Sequence, residues 1–280
     1  MLTEPRTKAL SGWMEFANFI KQVDGGRPYT SRYIFRGQAD ADWGLHPRLL
    51  RYAKTHGLGV PHTFEIEQAL MRAFQRMAHL HVPHSVLPQA KVLWSQWWVL
   101  MQHFGAPTRV LDWTLSPWVA LYFAVEKELL RDEAVWIVHI GAIAEHMKKE
   151  FGGFDFPDEL SIAHPVKFWS HDFDQLFIPE PAFQMDRMAA QQYVFTVSPK
   201  VLADHGRIIG ASQPPNGDSR FFAKLIIPAA LKKNLLKRLK EMNVTAAALF
   251  PGLDGLGRSI AELTELSCDF WSDQIWSGKG

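Results

Sequence analysis

A chain of 280 residues with 47% hydrophobic residues can bury one large core, and 11 Trp and 19 Phe make that core, or a pocket in it, aromatic. The formal net charge of +1 excludes a global nucleic-acid footprint and an acidic tail, and the single Cys268 excludes an internal disulfide framework or a cysteine-rich zinc site. No stretch reaches the ~20 apolar residues of a membrane span, and "MLTEPRTKALSGW" lacks the apolar run of a signal peptide, so the expected setting is cytoplasmic with no membrane partner.

The first element is a helix over "SGWMEFANFIKQV", with apolar residues at helical spacing and Ser11 as its N-cap. "GGRPYTSRYIFRG" turns into a short strand, "RYIF", ending at Arg36-Gly37. Two amphipathic helices follow, "FEIEQALMRAFQRMAHL" and "AKVLWSQWWVLMQHF", and then a turn and a strand between Gly105 and Thr114. Ser116-Pro117 is a helix start, a hydroxyl cap before proline at the first helical position, and "PWVALYFAVEKELL" is apolar around most of its circumference.

"EAVWIVHI" reads as a central strand, and the stretch from Gly152 to about Arg187 as loop with short elements. "QQYVFTV" and "FFAKLIIP" are expected strands, joined by "HGRIIGASQPPNGDSR" as a connection with a Pro-Asn-Gly turn. "AALKKNLLKRLKEMN" is a basic amphipathic helix, expected to present a solvated face, with a nucleic-acid contact as the alternative. "VTAAALFPGLDGLGRSIAELTEL" closes the chain with a strand, a glycine-punctuated turn and a helix. The mixture is α+β.

Three polar clusters interrupt these elements. Phe35-Arg36-Gly37-Gln38 places a guanidinium fork beside a glycine, a combination suited to binding an anion and equally to an arginine paired with a carboxylate. "TRVLDWTLS" sets Asp112 and Thr114 two apart on one strand face with Trp113 on the other. Here Asp112 is either a site group or a partner of Arg109 or Arg36, and Thr114 either a site group or a helix cap. "DRMAAQQYVFTV" brings Gln191 and Gln192 to a strand start after Arg187. The 12 histidines show no HExxH spacing, and His79 and His81 are too close to share a helix face, so no metal is expected. The P-loop, GxSxG and GxGxxG patterns are absent too.

In order, "YIFRGQADADWGLHPRLLR", "LMQHFGAPTRVLDWTLSPWVALYFA", "DRMAAQQYVFTV" and "LFPGLDGLGRSI" resemble the successive motifs of the FRG domain family. That resemblance implies one FRG-type domain over residues 1–280, with 1–30 as a helical extension and 31–270 as the core. More distantly, the pattern is similar to ADP-ribosyltransferases of the arginine-serine-glutamate type. Phe35-Arg36-Gly37 matches their first motif, "DWTLS" their second with Thr114 at its last serine, and Gln191-Gln192-Tyr193 their third. Tyr193 stands where those enzymes carry the catalytic glutamate.

This second resemblance implies an ADP-ribosyltransferase-like split sheet with packed helices, and NAD as a substrate. Cleavage of the nicotinamide–ribose bond develops positive charge on the ribose, as glycoside cleavage does. By resemblance Arg36 supplies the fork, Gly37 the clamp for the nicotinamide amide and Thr114 an orienting hydroxyl. Gln38, His103 and Arg109 complete the nucleotide-binding set, and Asp112 and Gln191 join Thr114 as catalytic groups, with Asp112 replacing the glutamate. If Asp112 is not the carboxylate, Glu180 is the next candidate. Arg36, Asp112, Thr114 and Gln191 are then expected to converge on one concave site, and an Arg36 on the opposite side of the sheet from Thr114 counts against the reading. The implied activity is transfer of ADP-ribose to a protein or nucleic-acid target, or NAD cleavage, in a toxin or phage-defence setting. The alternatives are a non-catalytic module for a nucleotide or nucleic-acid end, and an RNA 2'-phosphate transferase-like enzyme relying on His103, Arg109 and Arg187.

Overall fold

The computed structural model describes residues 4–24, 33–81, 87, 94–127, 130–141, 143–145, 174–179, 184–212 and 221–266. Most of the stretch expected to be loop after Gly152, the Pro-Asn-Gly turn, Glu180 and Cys268 lie outside them. Six strands form one open mixed sheet: β1 (Arg6–Ala9), β2 (Tyr33–Gln38), β3 (Leu111–Thr114), β4 (Glu133–His139), β5 (Tyr193–Thr196) and β6 (Phe222–Ile227), in spatial order β1-β6-β4-β2-β3-β5. Only β1 and β6 run parallel; every other pairing is antiparallel.

Alternation along the strands divides the core between the two faces of the sheet. Phe35, Val135, Ile137, Ala223, Leu225 and Ile227 meet α1 (Trp13–Asp24) and α5 (Pro117–Val125) on one face. The helix expected from Ser116-Pro117 is this α5. The Ser116 hydroxyl accepts a hydrogen bond from Val119 N, and six of the nine helical residues are buried. On the opposite face Ile34, Leu111, Trp113, Trp136, Val138 and Phe222 form a second cluster. A third gathers on α3 (Val60–Ala78) and α4 (Trp94–His103), which pack beside β3 and β5. Among the described residues no helix is long and apolar enough to cross a membrane.

Several elements differ from expectation. The first 30 residues contribute a strand as well as a helix, because β1 extends the sheet along β6. The N–H and hydroxyl of Ser11 both donate to the Glu15 carboxylate, and α1 begins at Trp13. β2 continues through Arg36 and Gly37 to Gln38, so the arginine lies inside a strand and not at its end. β5 begins at Tyr193: Gln191 caps the short helix α6 (Asp186–Ala190), and Gln192 turns with a positive φ of 48°. "HGRIIGA" is a helix, α7 (His205–Ala211), capped by the Asp204 carboxylate on Arg207 N.

The basic helix α8 (Lys232–Glu241) buries Leu235, Leu236 and Leu239 and turns Lys233 and Lys237 to solvent. "VTAAALF" forms the helix α9 (Ala246–Leu249), with Thr245 as its N-cap, and not a strand. The final helix is α10 (Leu253–Leu266).

Candidate functional site: a cleft where the sheet opens

β2 pairs with β4 over six residues, but with β3 at one position, Phe35 opposite Thr114. Beyond that pair the strands part, and a cleft of about 330 Å³ opens between them, within the ~300–1,000 Å³ typical of small-molecule sites. Arg36, Gly37 and Gln38 line it from β2, Asp112 and Thr114 from β3, and Glu126 and Lys127 from the end of α5. Arg187 and Tyr193 reach it from the third motif. Trp43, His46 and Arg51 stand around the same space, His46 and Arg51 flanking or opening α2 (Arg48–His56).

Alternation starts Arg36 and Thr114 on opposite faces of the sheet, because Phe35 faces α5 together with its cross-strand partner Thr114. That placement departs from the expected convergence on one side of the sheet, although both residues line the cleft between the strands. Arg36 Nη1 bridges it, donating to the Asp112 carbonyl at 2.6 Å, while Arg36 Nε is buried with no partner. Burial holds the Arg36 guanidinium below its ordinary pKa, with the nearby Asp112 acting in the other direction. A buried donor without an acceptor costs free energy unless a ligand supplies one. Arg187 Nε is also buried and unpartnered, with its guanidinium 4.6 Å from the centre of the Phe250 ring.

The polar residues of "MQHFGAPTRVLDWT" divide into two jobs. Gln102 Nε2 donates to Asp112 Oδ2 at 2.8 Å, Thr108 Oγ1 donates to Gln102 Oε1 at 2.6 Å, and Val110 N donates to Thr108 Oγ1 at 3.2 Å. This relay fixes the Asp112 side chain. Burial raises its pKa, opposed by Arg36, the Gln102 hydrogen bond and Arg187. Arg109 does something else. It lies outside the cleft, 1% exposed, in a two-pronged ion pair with Glu67 of α3, and it also donates to the Ser198 and Pro199 carbonyls. Its guanidinium carbon stands 4.5 Å from the centre of the Trp98 ring. The expected nucleotide contact by Arg109 is corrected here to a core ion pair, because its donor fork is occupied by protein groups.

His103 is likewise behind the cleft wall, with its ring 6.3 Å from that of Tyr193. Burial, reinforced by Arg187, lowers its pKa to about 4, so its imidazole is neutral at physiological pH. Gln191 does not line the cleft. Its Nε2 donates to the Leu249 carbonyl at 2.7 Å, and its own carbonyl accepts from Thr114 Oγ1 at 2.7 Å. Thr114 Oγ1 also accepts from Ser116 N at 3.0 Å, so this hydroxyl fastens the third motif and the start of α5. Gln38 is tied to Trp136 Nε1 and the Gly44 carbonyl. Of the eight expected site residues, Arg36, Gly37, Gln38, Asp112 and Thr114 line one space, and Gln191, His103 and Arg109 do not.

Gly37 has a packing reason of its own. A Cβ there would lie 2.0 Å from the Ala120 carbonyl oxygen and 2.5 Å from Ala124 N, both backbone atoms of α5. Gly37→Ala is expected to push α5 off β2 and destabilise the fold by about 1–3 kcal/mol, read as a lower urea midpoint.

Sequence reasoning passed over His46, Arg51, Glu126 and Lys127. His46 and Arg51 lie in "LHPRLLR", next to the first motif, where two basic residues beside an aromatic were a usable signal. His46 Nε2 is 2.9 Å from Asp204 Oδ2, and Lys54 Nζ is 3.3 Å from the same ring nitrogen. Among the described residues, no group of three His, Cys, Asp or Glu side chains gathers as a metal site.

No curated protein and no solved structure matches the chain. The family model of the FRG domain matches residues 31–133, the stretch that holds Arg36, Arg51, Asp112, Thr114 and Glu126. Tyr193 and Arg187, which close the cleft, follow the matched stretch. Residues 31–133 are thus the part of the chain that is similar to the FRG domain.

Proposed function

We propose that the cleft binds NAD and breaks its nicotinamide–ribose bond, passing ADP-ribose to a macromolecular acceptor or to water. One observation carries the reading: a half-buried arginine and a half-buried aspartate from two separate motifs meet where the sheet opens, the guanidinium donating to the aspartate's main-chain carbonyl. Arg36, Arg51 and Arg187 suit the negative charge of a pyrophosphate. Trp43, Phe123 and Tyr193 offer aromatic surface to a base or nicotinamide ring. Asp112 is the carboxylate that opposes the charge developing on the ribose, in place of the glutamate that Tyr193 displaces. Thr114 acts by holding the third motif. The likeness of the sheet to an ADP-ribosyltransferase core is part of this proposal.

Arg36→Ala tests the binding half. It is expected to weaken NAD binding by at least ~1.5 kcal/mol, the lower end for a charge-assisted hydrogen bond. The fold should survive, because the arginine leaves only one carbonyl unpaired. Calorimetry with NAD and thermal melts on the same variant measure both. A large fall in melting temperature without loss of affinity makes Arg36 a core residue only. Labelled NAD incubated with cell lysate, followed by separation of protein-bound, nucleic-acid-bound and free products, tests the chemistry.

Tyr193 at the glutamate position and the burial that disfavours an ionised Asp112 support a second reading, a module that binds a nucleotide without turning it over. NAD bound but recovered intact decides for it. A phosphate transferase-like reading keeps only Arg187 of its three residues in the cleft.

A further inference from the structure

Glu126 occupies a position that folding alone disfavours. It caps the C-terminus of α5, its N–H donating to the Tyr122 carbonyl at 2.8 Å. There the helix dipole favours cations and opposes a carboxylate. The side chain is partly buried and lines the cleft, and no described residue makes a hydrogen bond or ion pair with its carboxylate. The neighbouring Glu262 carboxylate is occupied by the Tyr122 hydroxyl. Glu126 thus has the three marks of a group kept for chemistry: access to the cleft, a free carboxylate and an unfavourable site.

We propose that Glu126 is the general base that activates the acceptor, a role that rests on the NAD-cleaving reading of the cleft. The nicotinamide–C1' bond breaks, its electron pair leaving with nicotinamide. The acceptor's O–H or N–H loses its proton to Glu126 as the acceptor atom bonds C1'. The proton then passes from Glu126 to solvent, so NAD and acceptor give ADP-ribosyl acceptor, nicotinamide and a proton. Two carboxylates with separate tasks, one opposing the cation and one taking the proton, are the arrangement glycoside cleavage also uses. Arg187 acts electrostatically on both Asp112 and Glu126, which places the two within reach of one cation.

The charged groups around Glu126 are Lys127 beside it, Arg258 and Glu262 of α10, and Arg187 of α6. Burial raises its pKa and Glu262 adds to this, while Lys127, Arg258 and Arg187 oppose. A base must be ionised, so turnover falls as pH drops through this value, raised above that of an ordinary glutamate, and the raised titration of Asp112 contributes to the same acidic limb. A carboxylate whose pKa is higher folded than unfolded loses folding stability as pH rises past the unfolded value. Removing its charge therefore leaves neutral-pH stability equal or higher.

The test is Glu126→Gln in the full chain, with NAD as the probe and nicotinamide release as the readout. The expected result is a fall in kcat of at least about 10²-fold, an acidic limb reduced to the titration of Asp112, NAD affinity within about twofold and an unchanged or raised melting temperature. Turnover like that of the unaltered chain at every pH overturns the inference and leaves the NAD reading standing. A fall in turnover accompanied by a lower melting temperature makes Glu126 structural and overturns it too. NAD that the unaltered chain never cleaves overturns both.

Discussion

Asp112→Asn is expected to lower NAD turnover by ~10²-fold or more, with nucleotide affinity little changed. That is the scale for losing one preorganised electrostatic group that acts mainly in the transition state. The substitution keeps the shape and leaves one oxygen to accept from Gln102 Nε2, now 2.8 Å from Asp112 Oδ2. It does not touch the bond from Arg36, which goes to the Asp112 main-chain carbonyl. Binding and chemistry therefore separate in this variant. Burial disfavours the ionised carboxylate, so the asparagine form should be no less stable without ligand. Unchanged turnover and unchanged stability together remove Asp112 from any role in the site. Initial rates of nicotinamide release, set beside urea unfolding, distinguish these outcomes.

Glu67→Ala is expected to cost 3–5 kcal/mol, roughly the penalty for leaving one member of a buried ion pair uncompensated. Glu67 and Arg109 are each 1% exposed, and the guanidinium is enclosed by Trp98 and Phe64. Against the ~5–15 kcal/mol stability of an ordinary domain, that loss is a large fraction. Changing both residues to apolar ones of similar size, Glu67→Leu with Arg109→Met, should recover most of it, because neither charge is then stranded. Urea midpoints of the single and double variants measure the recovery. Nicotinamide release by the double variant, once folded, should stay near that of the unaltered chain, since neither residue lines the cleft.

Elements that announce themselves by composition were readable from sequence. "PWVALYFAV" after Ser116 is apolar around most of its circumference and six of its nine residues are buried, and nearly every residue of β4, the expected central strand, is buried. β1 was not readable: Arg6, Thr7, Lys8 and Ala9 are largely exposed and join the sheet through main-chain bonds to β6, which leave no hydrophobic pattern. "VTAAALF" has the branched and aromatic residues of a strand, yet the Thr245 hydroxyl captures Ala248 N and starts a helix. That is a local capping signal that periodicity overlooks. In the site, Arg36 and Asp112 stood out as polar residues inside apolar strands. Arg109 stood out for the same reason and went elsewhere, because its partner Glu67 lies 42 residues away on another helix. Sequence can show that a buried arginine needs a partner without showing which one.

The single pairing of Phe35 with Thr114 has a mechanical consequence. Four strands, β1, β6, β4 and β2, form one plate, and β3 with β5 forms another. One ladder position and the Arg36 guanidinium stitch the plates across the gap. An anion that takes Arg36 Nη1, and not only the unpartnered Nε, competes with the Asp112 carbonyl for that stitch, so filling the cleft in that way and loosening the seam are one event. The affinity measured for any such anion is then net of the work of parting the plates, and a change at the seam far from the ligand alters binding without altering a contact.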